Sequence, residues 1–436
     1  MPRRLPGRVE TVAVGCKVNQ YELQLIKESL ERSGGPFRGA AAAAERLVLL
    51  NTCCVTRRAE KTSMKTLRRL LRENPDALVV ATGCLVSARP GLFESLPVLA
   101  VPNERKDAIP TLFGAEAVCR VSRFDGHTRA FVKVSDGCPH ACTFCIVRRV
   151  RGRLRSRAPE SIVEEAEALA ASGFREIVLV AVNLAAYGTD IGASLAELVV
   201  RLAAAGRFPR IRLSSLEPHA VTDELLDVVA ATPQVCAHFH LSLQSGSDRV
   251  LAAMNRPYTS RDFLSVVERL RRAKERAAVT GDVIVGFPGE TEKDFDETAE
   301  VVRVADFCRV HVFPFSPRPG TPAERLPGAV DAAEKRERLA RLKEQVAAQA
   351  VAYRDSLVGS GDSVVVERVE GDFSFGLSER YQTVRIPGRI RPGTLVPVRM
   401  EGVDGETLLA RVPGGPARKG GAADAVADSA ADAERL

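Results

Sequence analysis

The sequence predicts an α/β protein in three parts: an N-terminal doubly wound parallel sheet, a central partial barrel of six βα units, and a small C-terminal β-barrel. Three observations predict it. Short apolar runs alternate with amphipathic stretches across residues 1–125, and again in longer units across 126–356. After a long charged stretch, residues 357–412 turn to brief β-like runs broken by glycines. At 436 residues the chain also exceeds what one core usually serves. Residues 413–436 are low in complexity and read as a disordered tail.

In the first part, "VETVAV" at 9–14, "RLVLL" at 46–50 and "ALVVAT" at 77–82 read as buried parallel strands. Helical periodicity fills 19–33 and 57–73, and Asn74-Pro75 stops the second helix. In the second part, strands are expected at 131–134, 176–182, 211–215, 237–243, 279–285 and 308–314. Among the helices between them is 159–173, opened by Pro159 and closed by Gly173. A barrel of this kind places its active site at the carboxyl ends of its strands. The charged helix "AAEKRERLARLKEQVAAQAVAYRDSLVG" then leads to the third part.

The chain has 10 cysteines and a formal charge of +7, compatible with a polyanionic partner. It contains no run of about eighteen apolar residues and no leader pattern at its start, so the expected location is cytoplasmic, without a membrane. In that compartment clustered thiols read as metal ligands or redox groups rather than disulfides. Cys138, Cys142 and Cys145 form C-x3-C-x2-C directly after the first strand of the second part. Three thiolates are one short of a closed structural zinc site, but they suit a four-iron cluster with one iron open to another ligand. In the first part Cys16 ("VGCKVNQYE"), Cys53 ("NTCCVT") and Cys84 ("TGCLVS") each follow a strand end, and such ends share one edge of a parallel sheet. A second three-cysteine site is therefore expected. Cys54 adjoins it, but strand alternation turns it away from Cys53, which is the expected ligand. Cys119, Cys236 and Cys308 lack partners at ligand spacing and read as core residues.

Arg148, Arg149, Arg151, Arg153, Arg155 and Arg157 crowd into ten residues; if the chain is extended from 151, the odd-numbered four share a face. Lys61, Lys65, Arg68 and Arg72 form one stripe on the second helix. Both elements begin beside a cysteine loop, which points to phosphate contacts with an RNA loop; a solvated face is the alternative. Phe373, Phe375 and Tyr381 either stack on unpaired bases or fill the small barrel. Glu217 is either a pocket residue or an ordinary exposed glutamate. The histidines show no metal-site spacing, and His238 and His240, on one face of a strand, read as structural.

With Phe144 just before its last cysteine, the C-x3-C-x2-C motif resembles that of the radical S-adenosylmethionine (SAM) enzymes. Two three-cysteine sites in this order resemble the methylthiotransferases, and the resemblance covers about residues 9–412. "GCKVNQYE", "DGCPHACTFC", "RGRLRSR", "RLSSLEP", "HFHLSLQSGSDRVLAAMNR", "DVIVGFPGET" and "HVFPFSPRPGTPA" look most like members acting on N6-threonylcarbamoyladenosine at tRNA position 37. Lysine-valine-asparagine after Cys16 separates them from sister members acting on isopentenyladenosine or on a ribosomal-protein aspartate. "GCLVS" departs from the family, which usually has an aromatic and then Ala-Gln after that cysteine, and this bears on packing near Cys84.

The resemblance implies two 4Fe–4S clusters, the first on Cys138, Cys142 and Cys145 with SAM, and an auxiliary one on Cys16, Cys53 and Cys84. It implies a radical that takes hydrogen from adenine C2, sulfur delivered from the auxiliary site, and SAM bordered by Asn183, Gln244, Ser245 and Gly286, with Glu217 in the pocket. It further implies a C-terminal RNA-binding TRAM barrel, a tRNA anticodon loop met by Arg149, Arg151, Arg153, Arg155 and the Lys61–Arg72 stripe, an electron donor and a sulfur source. No catalytic residue is expected beyond the cluster ligands. Two rivals stay open: a sister methylthiotransferase, and a non-catalytic RNA-binding protein whose cysteines hold structural zinc.

Overall fold

The computed structural model describes residues 8–33 and 46–414; the expected disordered tail lies, from 415 on, outside the described residues. Strands β1 (Arg8–Ala13), β2 (Arg46–Thr52), β3 (Leu78–Gly83) and β4 (Leu99–Val101) pair in parallel, in that order. Both faces of this sheet are covered, which is why β2 reads as an unbroken apolar run. Leu23, Ile26 and Leu30 of helix α1 (Lys17–Arg32) meet Leu47, Leu49 and Val80 on one face. Leu67 and Leu70 of helix α2 (Arg57–Glu73) meet Val48, Leu50 and Val79 on the other. β4, at three residues, is too short to show a period in the sequence.

The central part has strands Ala130–Lys133, Glu176–Val180 and Arg210–Leu213 in one parallel set, and Ser215–Leu216, His238–Gln244, Ala278–Val285 and Arg309–Pro314 in the next. Only Ser214 separates Leu213 from Ser215, so the two sets make one six-stranded wall, as the sequence predicts. Helices Pro159–Ala171, Leu195–Ala204, Asp223–Ala231, Ser260–Ala273 and Glu292–Ala305 cover its outside through one apolar core. Thr259 and Thr291 start the last two with capping boxes to Asp262 and Asp294. None of the described helices is long and apolar enough to cross a membrane.

Helix Ala332–Ser356 lies along the edge strand and leads into strands Gly361–Glu370, Phe373–Ser378, Thr383–Pro387, Leu395–Asp404 and Thr407–Arg411, which close into a ring. This barrel is held to the central wall by buried arginines. Arg210 donates to Leu377 O at 3.1 Å and to Ser378 O at 2.8 Å, and Arg212 donates to Glu379 O at 2.8 Å. Tyr381, at φ 60° in the turn after Phe373–Ser378, corrects both expectations for it. It neither fills the small barrel nor faces solvent for a base. Its ring stacks on His238 at 4.6 Å and lies 5.1 Å from the Arg212 guanidinium, so it plugs the amino-terminal end of the central wall.

Candidate functional site

The three N-terminal cysteines meet at one sheet edge because each follows the carboxyl end of a parallel strand. Cys16 precedes α1, Cys53 follows Thr52, and Cys84 opens the short helix Cys84–Ala88. Glycine sets two of these turns. Gly15 has φ +101°, and a β-carbon there would sit 2.7 Å from Cys53 Cβ; Gly83 has φ +100°, and its β-carbon would sit 2.4 Å from Thr52 O. The loops are laced together. Asn19 Nδ2 donates to Val14 O at 2.8 Å and Thr52 O at 3.3 Å, while Thr52 Oγ1 donates to Thr82 O at 2.6 Å. Ser63 Oγ accepts from Cys53 N at 3.0 Å, and Asn103 Nδ2 lies 3.7 Å from Cys84 Sγ.

Burial, and then the proximity of Cys16 and Cys84, push the Cys53 thiol up to about 12. Cys84 is raised by burial and partly offset by Arg151. Such thiols ionise when positive charge arrives with a metal. Cys54 is also buried and also near Cys84 and Cys53, but Glu60 and Arg318 stand beside it. Arg318, from the segment after the last central strand, bridges Glu60 Oε2 at 3.0 Å and Cys54 O at 3.4 Å, fastening the Cys53–Cys54 loop to the central part.

The second triad follows the first central strand. Gly137, at φ +72°, approaches Arg153 O so closely that a β-carbon would lie 2.0 Å from it. Cys138, Cys142 and Cys145 are half-buried and within electrostatic reach of one another, and burial pushes Cys145 up to about 12. Asn183 Nδ2 lies 4.0 Å from Cys138 Sγ. Arg256 is the residue that sequence reasoning missed: its Nη1 donates to Cys142 Sγ at 3.1 Å, its other arm pairs with Glu217, and it lies 5.0 Å over the Tyr258 ring. The quoted motif "HFHLSLQSGSDRVLAAMNR" ends on it, but arginine is not a ligating type and nothing in its spacing marked it. Glu217 is therefore a paired residue of this site rather than an ordinary exposed glutamate. His140 and His219 pack beside it with their Nε2 atoms 3.0 Å apart.

Of the other residues expected near SAM, Gln244 ends its strand at a left-handed φ of 65° and Gly286 has φ +72°. Gly286 N donates to Glu290 Oε1 at 2.8 Å. Ser245 is fully buried and its hydroxyl lies 3.2 Å from Thr298 Oγ1 on the outer helix, which leaves only its backbone for a ligand.

The arginine run divides. Arg151 ends helix Val147–Arg151 and is buried, donating to Glu22 Oε1 and Asp136 Oδ1, both at 2.9 Å, and to Asn19 Oδ1 at 2.6 Å. Lys106 and Lys133 join the same acids. Burial alone would raise the Glu22 carboxyl, but Lys133, Arg151 and Lys106 hold it well below the usual range. Arg157 pairs with Glu165 at 2.6 Å and Tyr21 Oη at 3.0 Å. The expected extended segment does not begin at Arg151, which is helical, but is strand at Arg155–Ser156; a phosphate contact for Arg151 is corrected, because interdomain acids claim this guanidinium. Arg148, Arg149, Arg153 and Arg155 are exposed, as are Lys61, Lys65, Arg68 and Arg72 on α2. Cys236 and Cys308 are buried; Cys119, expected in the core, is exposed because it lies in an irregular connection between the two α/β parts.

Among the described residues, no three His, Cys, Asp or Glu side chains converge tightly enough for a single metal ion. Cysteines that bind separate irons of one cluster stand farther apart than the ligands of one ion, so the two soft-donor triads suit iron–sulfur clusters. Residues 132–302 match the model of the Radical SAM superfamily, and residues 8–100 match that of "Uncharacterized protein family UPF0004". Threonylcarbamoyladenosine tRNA methylthiotransferase MtaB of Thermotoga maritima is 39% identical over 422 residues, spanning 92% of this chain and 96% of that one. The chain belongs to the radical SAM methylthiotransferase family. The family uses SAM and carries two 4Fe–4S clusters. The tRNA-2-methylthio-N(6)-dimethylallyladenosine synthase of Desulfitobacterium hafniense is 32% identical over 437 residues, spanning 93% of this chain and 97% of that one. The radical SAM methyltransferase TsrM of Kitasatospora setae shares the fold, with a TM-score of 0.55 at 16% identity over 73% of this chain and 77% of that one.

Proposed function

We propose that this enzyme methylthiolates C2 of N6-threonylcarbamoyladenosine at position 37 of tRNA. What carries the reading is the pair of three-cysteine sites, one at the strand ends of each α/β part, in a chain 39% identical to a relative named for that activity. Cys138, Cys142 and Cys145 hold the cluster that binds SAM, and Cys16, Cys53 and Cys84 hold the auxiliary one. When bound, these groups supply the radical that opens an unactivated C2–H bond and the sulfur that takes its place.

The chain's own residues position and shield. Arg256, paired with Glu217, donates to the Cys142 sulfur, and Asn183 and Asn103 stand beside Cys138 and Cys84. Gln244 and Gly286 border the SAM site at their strand ends, with the Ser245 backbone beside them. The exposed stripe of α2, with Arg148, Arg149, Arg153 and Arg155, meets phosphates of the anticodon loop. On the C-terminal barrel, a TRAM-like module, Phe373 lies 5.1 Å from Arg385 and Phe375 4.5 Å from Arg368, a surface suited to unpaired bases. A cytoplasmic location, a cellular electron donor and a sulfur source belong to the same reading.

Mass spectrometry of nucleosides from cells lacking the protein tests it. Loss of 2-methylthio-N6-threonylcarbamoyladenosine is expected; an unchanged level overturns the substrate, and loss of the isopentenyl counterpart instead assigns the sister activity.

A further inference from the structure

One polar layer of the central wall takes no part in the chemistry described so far. On the inner faces of neighbouring strands, His240 Nε2 lies 3.1 Å from Asp282 Oδ2, and Asp282 is the register partner of His311. The layer opens to the interior: His311 is exposed, and Asp282 and His240 keep 28% and 16% of their side-chain surface. It sits four residues before Gln244 and Gly286 on the same strands, about 13 Å below the SAM-bordering strand ends.

Hydrogen bonding orders the layer. His238 Nε2 and His240 Nδ1 both lie 3.1 Å from Thr280 Oγ1. With Asp282 accepting from His240 Nε2–H, the Thr280 hydroxyl donates to His240 Nδ1 and accepts from His238 Nε2–H; His238 Nδ1 correspondingly has no partner. Asp282 keeps its other carboxylate oxygen for a further donor. Lys17 faces the layer from the start of α1, next to Cys16. Its ammonium lies 5.8 Å from the Tyr381 ring centre and within electrostatic reach of His311. The space thus has Tyr381 as its floor, the Lys17 ammonium and the His311 imidazole, which desolvation keeps neutral, on one side, and a carboxylate acceptor on the other.

We propose that this layer, with Lys17, is the subsite for the N6 substituent of the target adenosine, and that it takes a substituent bearing both a carboxylate and an O–H or N–H donor. Lys17 and His311 receive the carboxylate, and Asp282 receives the donor. The inference rests on the substrate reading above and adds the residues that enforce it. A prenyl group offers neither function, so its entry would strip Lys17 and Asp282 of water without replacement. Sites built to hydrogen-bond reject analogues lacking the group far more strongly than apolar pockets reject added ones.

The test titrates anaerobically reconstituted holoprotein with two labelled anticodon stem-loops, one carrying threonylcarbamoyladenosine and one its threonine methyl ester. The native chain is expected to prefer the free carboxylate by about tenfold or more, and Lys17→Met and His311→Ala each to bring the ratio down to about two. The ratio is the readout, so altered phosphate contacts do not imitate the effect. A native chain without preference, or variants that both keep the native ratio, overturns the subsite. Should Lys17→Met fail to load iron, His311→Ala on the exposed edge strand decides alone. Failure of the substrate reading looks different: the native holoprotein would then methylthiolate an isopentenyladenosine stem-loop in preference to the threonylcarbamoyl one.

Discussion

Gly137 is where the geometry of a cysteine loop can be tested most directly. An added β-carbon would lie 2.0 Å from Arg153 O, 2.6 Å from Arg153 C and 2.8 Å from Gly152 O. These are backbone atoms, so no rotamer change relieves the contact, and the Arg153 peptide must retreat by more than an ångström from the Cys138 loop. Gly173, which closes helix Pro159–Ala171, supplies the control: its φ is +94°, and nothing lies within 4 Å of the same added atom. Gly173→Ala therefore carries only the left-handed backbone penalty, on the order of 1–2 kcal/mol. Gly137→Ala adds overpacking of about 1–3 kcal/mol. At roughly 2–4 °C per kcal/mol for a unit of this size, the central transition falls by about 2–8 °C in Gly173→Ala and about 4–20 °C in Gly137→Ala. Only Gly137→Ala should also lose about half of the iron expected from two four-iron sites. Calorimetry with iron and sulfide analysis reads both quantities. Equal midpoints in the two variants, with full iron in Gly137→Ala, would refute the argument.

Glu176 is wholly buried against Arg210 at 2.6 Å and Arg212 at 2.7 Å, and although burial pushes its carboxyl up, Arg212, Arg210 and Arg129 bring it down to about 2. Its stabilisation is fully present above the unfolded value of about 4.3 and is lost as pH falls through about 2. Glu176→Gln should cost about 3–5 kcal/mol at neutral pH and flatten the acid limb of stability; an acid limb like that of the native chain counts against the pairing. Tyr381→Ala removes the plug between the small barrel and the central wall, so limited proteolysis should cut near residues 357–361 faster, and an unchanged rate argues that the arginines alone dock the barrel. Cys53→Ser should lose about four irons on reconstitution while Cys54→Ser keeps them; the reverse pattern would reassign the ligand.

The sequence made the strand ends legible because parallel strands buried on both faces are long apolar runs, and a cysteine just past such a run has only one edge to occupy. Hence the strand pattern alone brings together Cys16, Cys53 and Cys84, scattered over 69 positions. Side-chain destinations were less legible. Ser245 and Gln244 are neighbours at one strand end, yet Ser245 turns to Thr298 on the outer helix, because successive side chains leave opposite faces, and a motif shared by both does not say which face meets the ligand. Tyr381 looked like a surface or core aromatic of its own barrel because its partners, Arg212 and His238, belong to another part of the chain. Arg256 was silent for the same reason: its importance lies in what Cys142 and Glu217, far away in sequence, present to it.

The division of the arginine run has a mechanical consequence. Two consecutive residues of α1 engage it: Tyr21 meets Arg157 and Glu165, and Glu22 accepts from Arg151, which also donates to Asp136. A buried ion network adds little net stability, but removing one partner is costly because the other charge is left without compensation. Such a network therefore resists sliding more than it favours folding. α1 begins directly after Cys16, and Asp136 stands two residues before Cys138, so the same salt bridges that fix α1 against the central part fix one cysteine site against the other. A reaction that takes hydrogen from a carbon near one site and delivers sulfur from the other loses rate steeply with small errors in that separation. The exposed arginines can then serve a flexible polyanion, while Arg151 and Arg157, in the same short run, hold the distance that the chemistry needs.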